Sequence, residues 1–215
     1  MGKMNQVLKN FFYSILKQSS EKFDNDFLKK IADFLFILSE KIILNFDYFL
    51  NAYINYYKDM TNKEIDLVSI SRSDKIVQVG CGSIPASSIL ISKRTKAIIV
   101  GIDKNKNSVT NAKFCIDKLK VSDKIKIKNV EASDFSFNCF DVILVAQGIT
   151  PLYDFLNHLS KNISKNSKVI LRTFSDRKGN LLKSEEFVKE LFKVDKIIRH
   201  EKQGRVISVR LSVKD

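Results

Sequence analysis

The sequence predicts an α/β fold: a mostly parallel seven-stranded sheet, closed by an antiparallel hairpin and preceded by an N-terminal helical bundle. Two observations predict it. From Asp74 onward, short β-branched runs alternate with segments of helical period, the pattern of a parallel sheet wrapped by helices. Before that point there is no glycine after Gly2 and no proline, and apolar residues recur at helical spacing. The expected division is residues 1–70, helical, and residues 71–215, α/β. A length of 215 residues suits one domain with a small accessory unit, at about 100–200 residues per domain.

In the helical part, Val7, Phe11, Phe12, Ile15 and Leu16 lie on one helix face, and Leu28, Ile31, Leu35, Leu38 and Ile42 on the next. Ser19-Ser20 is a break between them, a third run covers 46–57, and a fourth leads from Asn62 toward Ile70. The most apolar stretch, residues 31–50, is interrupted by Asp33, Glu40, Lys41 and Asp47. A membrane span needs about 20 mostly apolar residues, so this stretch reads as a buried or oligomer-facing helix. Its Phe-rich faces are candidates for a homodimer contact. Strands are expected at 75–79, 97–102, 125–130, 140–146 and 168–172, with helices at 86–94, 106–119, 151–162 and 183–192. Residues 193–200 and 205–213 are extended runs joined by Glu201-Lys202-Gln203-Gly204. Alternation of Ile207, Val209, Leu211 and Val213 with polar residues marks the second as half-buried, so the pair reads as a closing hairpin.

Composition narrows the function classes. The net charge is +13, and all of it falls in 71–215, because residues 1–70 carry nine Lys against nine Asp+Glu. A basic domain attracts anionic partners such as RNA. No RNA-binding motif accompanies the charge, and a Lys-, Asn- and Ile-rich chain can owe it to genome base composition, so a small-molecule acceptor is the first expectation and nucleic acid the second. Cys81, Cys115 and Cys139 form no Cys-x-x-Cys pair, and His158 and His200 are the only histidines, so no metal site is expected. An odd, dispersed set of cysteines without a signal-peptide pattern reads as a reduced, cytoplasmic protein with no membrane attachment.

The most informative segment is Val77-Gln78-Val79-Gly80-Cys81-Gly82-Ser83-Ile84-Pro85, a buried strand running into a Gly-x-Gly turn and then a helix. Glycine serves where the chain turns tightly and a ligand approaches the backbone, and the carboxyl end of a strand is where open α/β sheets bind ligands. Gly80, Cys81, Gly82, Ser83 and Pro85 are the expected cofactor loop. Asp103, ending the second strand 23 residues after Gly80, can accept from ribose hydroxyls, with Lys104 beside it. Asp134, after the third strand, can accept from an adenine amino group, with Ala132 and Ser133 alongside. Gln147 follows the fourth strand. A dinucleotide site wants a third small residue for close packing at the pyrophosphate, and that place holds Pro85. S-adenosylmethionine (SAM) has no pyrophosphate, so SAM as co-substrate is the better reading. The strand pattern then resembles the Rossmann-like class I SAM-dependent methyltransferase fold.

Within that superfamily the chain resembles nicotianamine synthase. The family's cofactor loop reads GSGPLPLTS, and residues 80–88 here read GCGSIPASS, sharing the proline. The family's FPYYDNYVNLTKLEY segment resembles Ile54 to Ile65, with Tyr56, Tyr57 and Glu64. Its DVVFLAALVG resembles Asp141 to Gly148, and its LRS resembles Leu171-Arg172-Thr173. The resemblance implies transfer of the 3-amino-3-carboxypropyl arm of SAM to the amine of a small amino-acid-type acceptor, with methylthioadenosine released. It implies Glu64 as the base near that amine, and Tyr56 and Tyr57 as residues lining the site. Every carbon on the sulfonium is activated, so such an enzyme selects by position, holding the amine about 3–3.5 Å from one carbon. The chain departs from the family at Ala86-Ser87-Ser88 and at Gln147-Gly148-Ile149-Thr150-Pro151, so the acceptor can differ. Gln147, Thr150, Tyr153 and Arg172 are candidates for its polar contacts. A small-molecule methyltransferase is the alternative, and a SAM-binding regulatory module is a third class.

Overall fold

The structure is a computed structural model that describes residues 43–214. The first two expected helices and the Ser19-Ser20 break lie outside the described residues. The chain divides into two compact units, Met1–Leu50 and Asn51–Asp215. In the described part of the first, the Phe49 ring meets Phe46 and Tyr48 edge-on, with centroids 6.1 and 5.6 Å away.

Helix α1, Asp47–Val68, is continuous where the sequence pattern suggested two runs. The polar interval 58–63 contains no glycine or proline to break it. Lys63 pairs with Asp59 one turn earlier at 3.3 Å on the outer face, while Met60, Thr61, Glu64 and Ile65 are buried on the inner one. The helix ends at Ser69, whose φ of 54° is left-handed, and the Ile70 amide bonds back to the Ile65 carbonyl.

Seven strands form one sheet: β1 Lys75–Val79, β2 Ile98–Asp103, β3 Ile125–Asn129, β4 Val142–Val145, β5 Lys168–Phe174, β6 Phe192–Arg199 and β7 Val206–Val213. Their order is β3-β2-β1-β4-β5-β7-β6; the first five are parallel, and β7 is antiparallel to both neighbours. The connecting helices are α2 Ala86–Thr95, α3 Lys106–Lys118 and α4 Leu152–Lys161. The helix expected at 183–192 is a 3-10 turn at Lys183–Glu185 followed by the four-residue α5, Val188–Leu191, and Phe192 already belongs to β6. Only Val188 of α5 is fully buried, so this segment has too narrow an apolar stripe to hold a longer helix.

One sheet face carries Val77, Val79, Ile102, Ile143, Val145, Val169, Leu171, Ile207 and Val209, packed against Phe155, Leu156 and Leu159 of α4 and Val188 of α5. Between β3 and β4 there is no α-helix. Phe135, Phe137 and Phe140 cover the sheet there instead, with ring centroids 5.2 and 5.6 Å from Phe135 and a further contact of 6.0 Å from Phe137 to Phe155. The opposite face receives α1 and α2 through Glu64, Ser87 and Ser88, and the right-handed crossover rule puts α3 on the same side. From β1 the chain moves to β2 and β3 on one side, then returns from β3 to β4 on the other side of β1. The carboxyl end of β1 is therefore the switch point where sheets of this kind take ligands.

Candidate functional site

The loop after β1 has the geometry its glycines call for. Gly80 has φ +71°, its amide and that of Cys81 both bond to the Ile102 carbonyl, and a Cβ there would stand 2.7 Å from Ile149 Cδ1. Gly82 has φ +64°, and a Cβ there would meet nothing within 4 Å, so bare backbone faces open space. That is the cradle a ligand requires. Asp103 holds it: Oδ2 accepts from the Gly82 amide at 2.9 Å and Oδ1 from the Asn105 amide at 2.9 Å. Each oxygen keeps a lone pair for a hydroxyl donor. Asn129 Nδ2 donates to the carbonyls of Asp103 and Lys104, fixing β3 against this corner. Lys104 is exposed, 3.8 Å from Glu131. Ala132, Ser133 and Asp134 form a 3-10 turn after β3, with Ser133 and Asp134 exposed. Gln147 is exposed just after β4, where the Ala146 amide bonds to the Val79 carbonyl. The expected cofactor residues thus belong to the carboxyl ends of β1 to β4.

Burial, with Asp103 adding to it, pushes the Cys81 thiol up to about 12. It is a neutral packing group against Gly101, not a nucleophile. Ser83 and Pro85 are buried at the entry to α2. Pro85 supplies no side-chain cap, so Gln78 of β1 does so from the strand: its Oε1 accepts from the Ser88 amide at 3.1 Å and hydroxyl at 2.6 Å. Among the described residues, no group of side chains could hold a metal ion, and no helix is long and apolar enough to cross a membrane.

Glu64 is only 1% exposed and meets Arg172 at two points, Nε to Oε1 at 2.7 Å and Nη2 to Oε2 at 2.6 Å. Arg172 Nη2 also donates to Ser87 Oγ at 2.7 Å. Ser208 lies opposite Arg172 in the β5–β7 register and donates to Glu64 Oε1 at 2.5 Å. Since that uses the only Ser208 proton, Ser208 accepts from His200 Nε2 at 2.8 Å, which assigns the His200 tautomer. Burial alone would lower the Arg172 pKa, but the Glu64 charge and its hydrogen bonds, with Tyr57 and Tyr53 nearby, raise it above the ordinary value. Burial pulls His200 below its usual value, against the pull of Glu64, and its Nδ1 is buried without a partner. The expectation that Glu64 is the acceptor's base meets a physical obstacle. Both Glu64 oxygens are already engaged by the guanidinium, and Oε1 by Ser208 as well, so an acceptor amine would have to compete with Arg172 for them. Tyr56 and Tyr57 are half-buried on α1, with ring centroids 5.3 Å apart, and Gln203 donates to the Tyr56 carbonyl.

Sequence reasoning missed Ser87, Ser208 and His200 as members of this network. The signal for Ser208 was available, as a polar residue flanked by buried Ile207 and Val209. It also missed Glu185, half-buried beside Thr173 near the end of β5. The excess charge is local: residues 93–128 hold eleven Lys+Arg against three Asp, eight of the thirteen net positive charges. They cluster around the β3 edge of the sheet, four strands from β5.

The network generates two predictions. Glu64→Leu strands a buried guanidinium and should cost about 3–5 kcal/mol, whereas Glu64→Leu with Arg172→Met removes both charges and should recover most of that loss. Urea unfolding of the three proteins checks this; equal losses in the single and double variants would refute the pairing. Because His200 is held neutral, the unfolded chain, whose histidine titrates near 6.5, takes up the proton first as pH falls. The stability due to His200 is therefore present above pH 6.5 and lost below it. Melting temperature should fall on acidification from pH 7 to 5.5, and less steeply in His200→Gln.

A family model described as a methyltransferase domain matches residues 70–208. No curated protein matches the chain. Among solved structures, a glutamate-to-glutamine variant of MtNAS, a nicotianamine synthase, in complex with S-adenosylmethionine, superposes with a TM-score of 0.71 at 15% identity, over 82% of this chain and 71% of that one. An RNA methyltransferase from Salinibacter ruber in complex with S-adenosyl-L-homocysteine gives 0.57 at 15% identity, over 74% of this chain and 93% of that one. A geranyl diphosphate C-methyltransferase from Streptomyces coelicolor A3(2) gives 0.56 at 10% identity, over 72% and 75%. At these identities the superpositions establish the fold, and the family match covers most of the chain. The chain belongs to the methyltransferase-domain family and is a SAM-dependent transferase.

Proposed function

We propose that this transferase moves the 3-amino-3-carboxypropyl arm of SAM to the amine of a small amino-acid-type acceptor and releases methylthioadenosine. The observation that carries the reading is the Glu64–Arg172 pair. Tyr56-Tyr57…Glu64, which with the loop proline is the specific part of the nicotianamine synthase resemblance, is bonded across 108 residues to Leu171-Arg172-Thr173, a segment shared with many methyltransferases. In this reading the joint holds α1, with Tyr56 and Tyr57 on it, against β5. In this reading Glu64 positions α1 and does not move a proton. Tyr56 and Tyr57, carried on that helix, line the acceptor side. Residues 71–215 supply the catalytic unit, and the helical region 1–70 contributes through α1.

For SAM we assign the Gly80–Gly82 backbone with Asp103 to the ribose side, Ala132 to Asp134 to the adenine side, and Gln147 to the sulfonium side. The open backbone at Gly82 and the spare lone pairs of Asp103 support this fit. When bound, SAM supplies a sulfonium whose attached carbons are all electrophilic. The chain's own task is to hold the acceptor nitrogen in line with one of them and to keep it unprotonated. Small-molecule methyl transfer is the second reading, and a specific observation favours it: Glu64 has no free oxygen to serve as the family's base.

Two outcomes are expected. With SAM and a mixture of amino acids or cell extract, mass spectrometry should find enzyme-dependent methylthioadenosine; S-adenosylhomocysteine without methylthioadenosine would establish the second reading instead. Asp103→Ala should weaken SAM binding by about 1–3 kcal/mol in calorimetry, because it removes a half-buried polar partner and frees the Gly82 turn. Unchanged affinity would sink the assignment of Asp103.

A further inference from the structure

We propose that Glu185 is the carboxylate that receives the acceptor's amine and takes its proton, an inference that rests on amine transfer at this site. Four observations place it for that task. Thr173 is the penultimate residue of β5, and its hydroxyl stands 2.6 Å from both Glu185 oxygens. One hydroxyl carries one proton, so the carboxylate is located by Thr173 but left with most of its lone pairs. No Lys or Arg pairs with Glu185 among the described residues, whereas Glu64 is fully engaged by Arg172, and the neighbouring Glu186 is exposed with Lys189 at 4.0 Å. Two residues on, the Phe187 ring meets Tyr153 from the first turn of α4 at 5.2 Å. Tyr153 is 47% exposed, so one aromatic wall remains open.

These parts come from the chain following β4, which lies beside β1, and following β5, the next strand out, and Ile149 after β4 reaches Gly80 itself. A carboxylate with no resident cation, two residues along the chain from an aromatic pair, is the chemistry that recognises an ammonium group. Burial raises the Glu185 carboxyl pKa, with the Thr173 bond acting the other way. A base shifted toward neutrality suits an amine better than an ordinary surface carboxylate. The step balances as follows. The acceptor enters as R–NH3+ and gives one proton to the Glu185 carboxylate. The freed nitrogen lone pair forms the new C–N bond as the C–S bond breaks and its electron pair stays on sulfur. Neutral methylthioadenosine leaves, the product nitrogen carries the positive charge, and Glu185 returns its proton to water.

A purely structural role makes the opposite forecast, because Glu185 would then only tether the segment after β5 to Thr173. Glu185→Gln keeps an oxygen for the Thr173 hydroxyl and loses the charge, so it separates the two. The probes are the twenty proteinogenic amino acids, offered singly with SAM, and the same amino acids titrated calorimetrically into the protein saturated with methylthioadenosine. Glu185→Gln should lower turnover of the best acceptor about 10²-fold or more and weaken its calorimetric affinity about tenfold, with SAM affinity and melting temperature unchanged. Glu185→Asp should recover part of the turnover. Turnover and acceptor affinity within threefold of wild type in Glu185→Gln would overturn the assignment, as would a wild type that uses no amino acid. The released nucleoside reports separately on the group transferred. If S-adenosylhomocysteine forms with an amine acceptor, arm transfer is wrong while Glu185 stands or falls on the same ratios.

Discussion

The arrangement of this molecule depends on one buried ion pair. Arg172 sits on β5 with its side chain on the face that receives α1 and α2, directly opposite Ser208 of β7. A guanidinium there, 6% exposed, is costly unless charge and hydrogen bonds compensate it. Glu64 from α1 supplies the charge, Ser87 from α2 accepts a further bond, and Ser208 completes Glu64. Four elements therefore meet at a single ion pair. The net stability of such a pair is small against an apolar alternative, but its directionality is not. A leucine cluster would let α1 rotate or slide by a residue; a two-point guanidinium–carboxylate fork does not.

That constraint reaches the cofactor loop through α2. Ser87 is two residues beyond Pro85, and Ser88 is held from below by Gln78 of β1. The start of α2 is thus fixed on one side by the strand beneath the loop and on the other by the ion pair. The loop's far side is fixed by Asp103. Between these fixed points the Gly80–Gly82 backbone has little freedom to adjust. A rigid cradle of this kind lowers the ordering cost of binding a ligand.

The sheet, its hairpin and the glycine loop were legible because each leaves a local signal: β-branched runs, period-two alternation in β7, and glycines where φ is positive. The continuous α1 was misread because a polar interval on a helix flank looks like a break when only letters are counted. The segment after β5 was misread as one helix because its Phe and Leu residues suit a helix face, whereas most of them cover the sheet singly. The site was half legible. Asp103 follows from its offset to the glycines, but the Glu64–Arg172 joint depends on a β5–β7 register that no local pattern encodes. Glu64 was found through resemblance but its partners were not, since a motif letter carries no information about which group fills its oxygens. Glu185 left no signal at all, being one acid among Lys183-Ser184-Glu185-Glu186 until Thr173 singles it out.

The two glutamates show how one residue type is sorted into different work by its neighbours. Glu64 faces a permanent cation that engages both its oxygens, so its negative charge is satisfied and its geometry is what it contributes. Glu185 faces the Thr173 hydroxyl and no cation among the described residues, and burial raises its carboxyl pKa. An enzyme that must keep a cationic cofactor and a basic amine side by side needs both kinds. A second fully ionised, unpaired carboxylate near the sulfonium would attract the acceptor as an ammonium and hold it there, protonated and unreactive. Compensating one carboxylate with Arg172 and burying the other part-way avoids that trap. In the proposed reaction such a site would attract an amine without fixing it in the charged form, and the position of α1 would select the carbon.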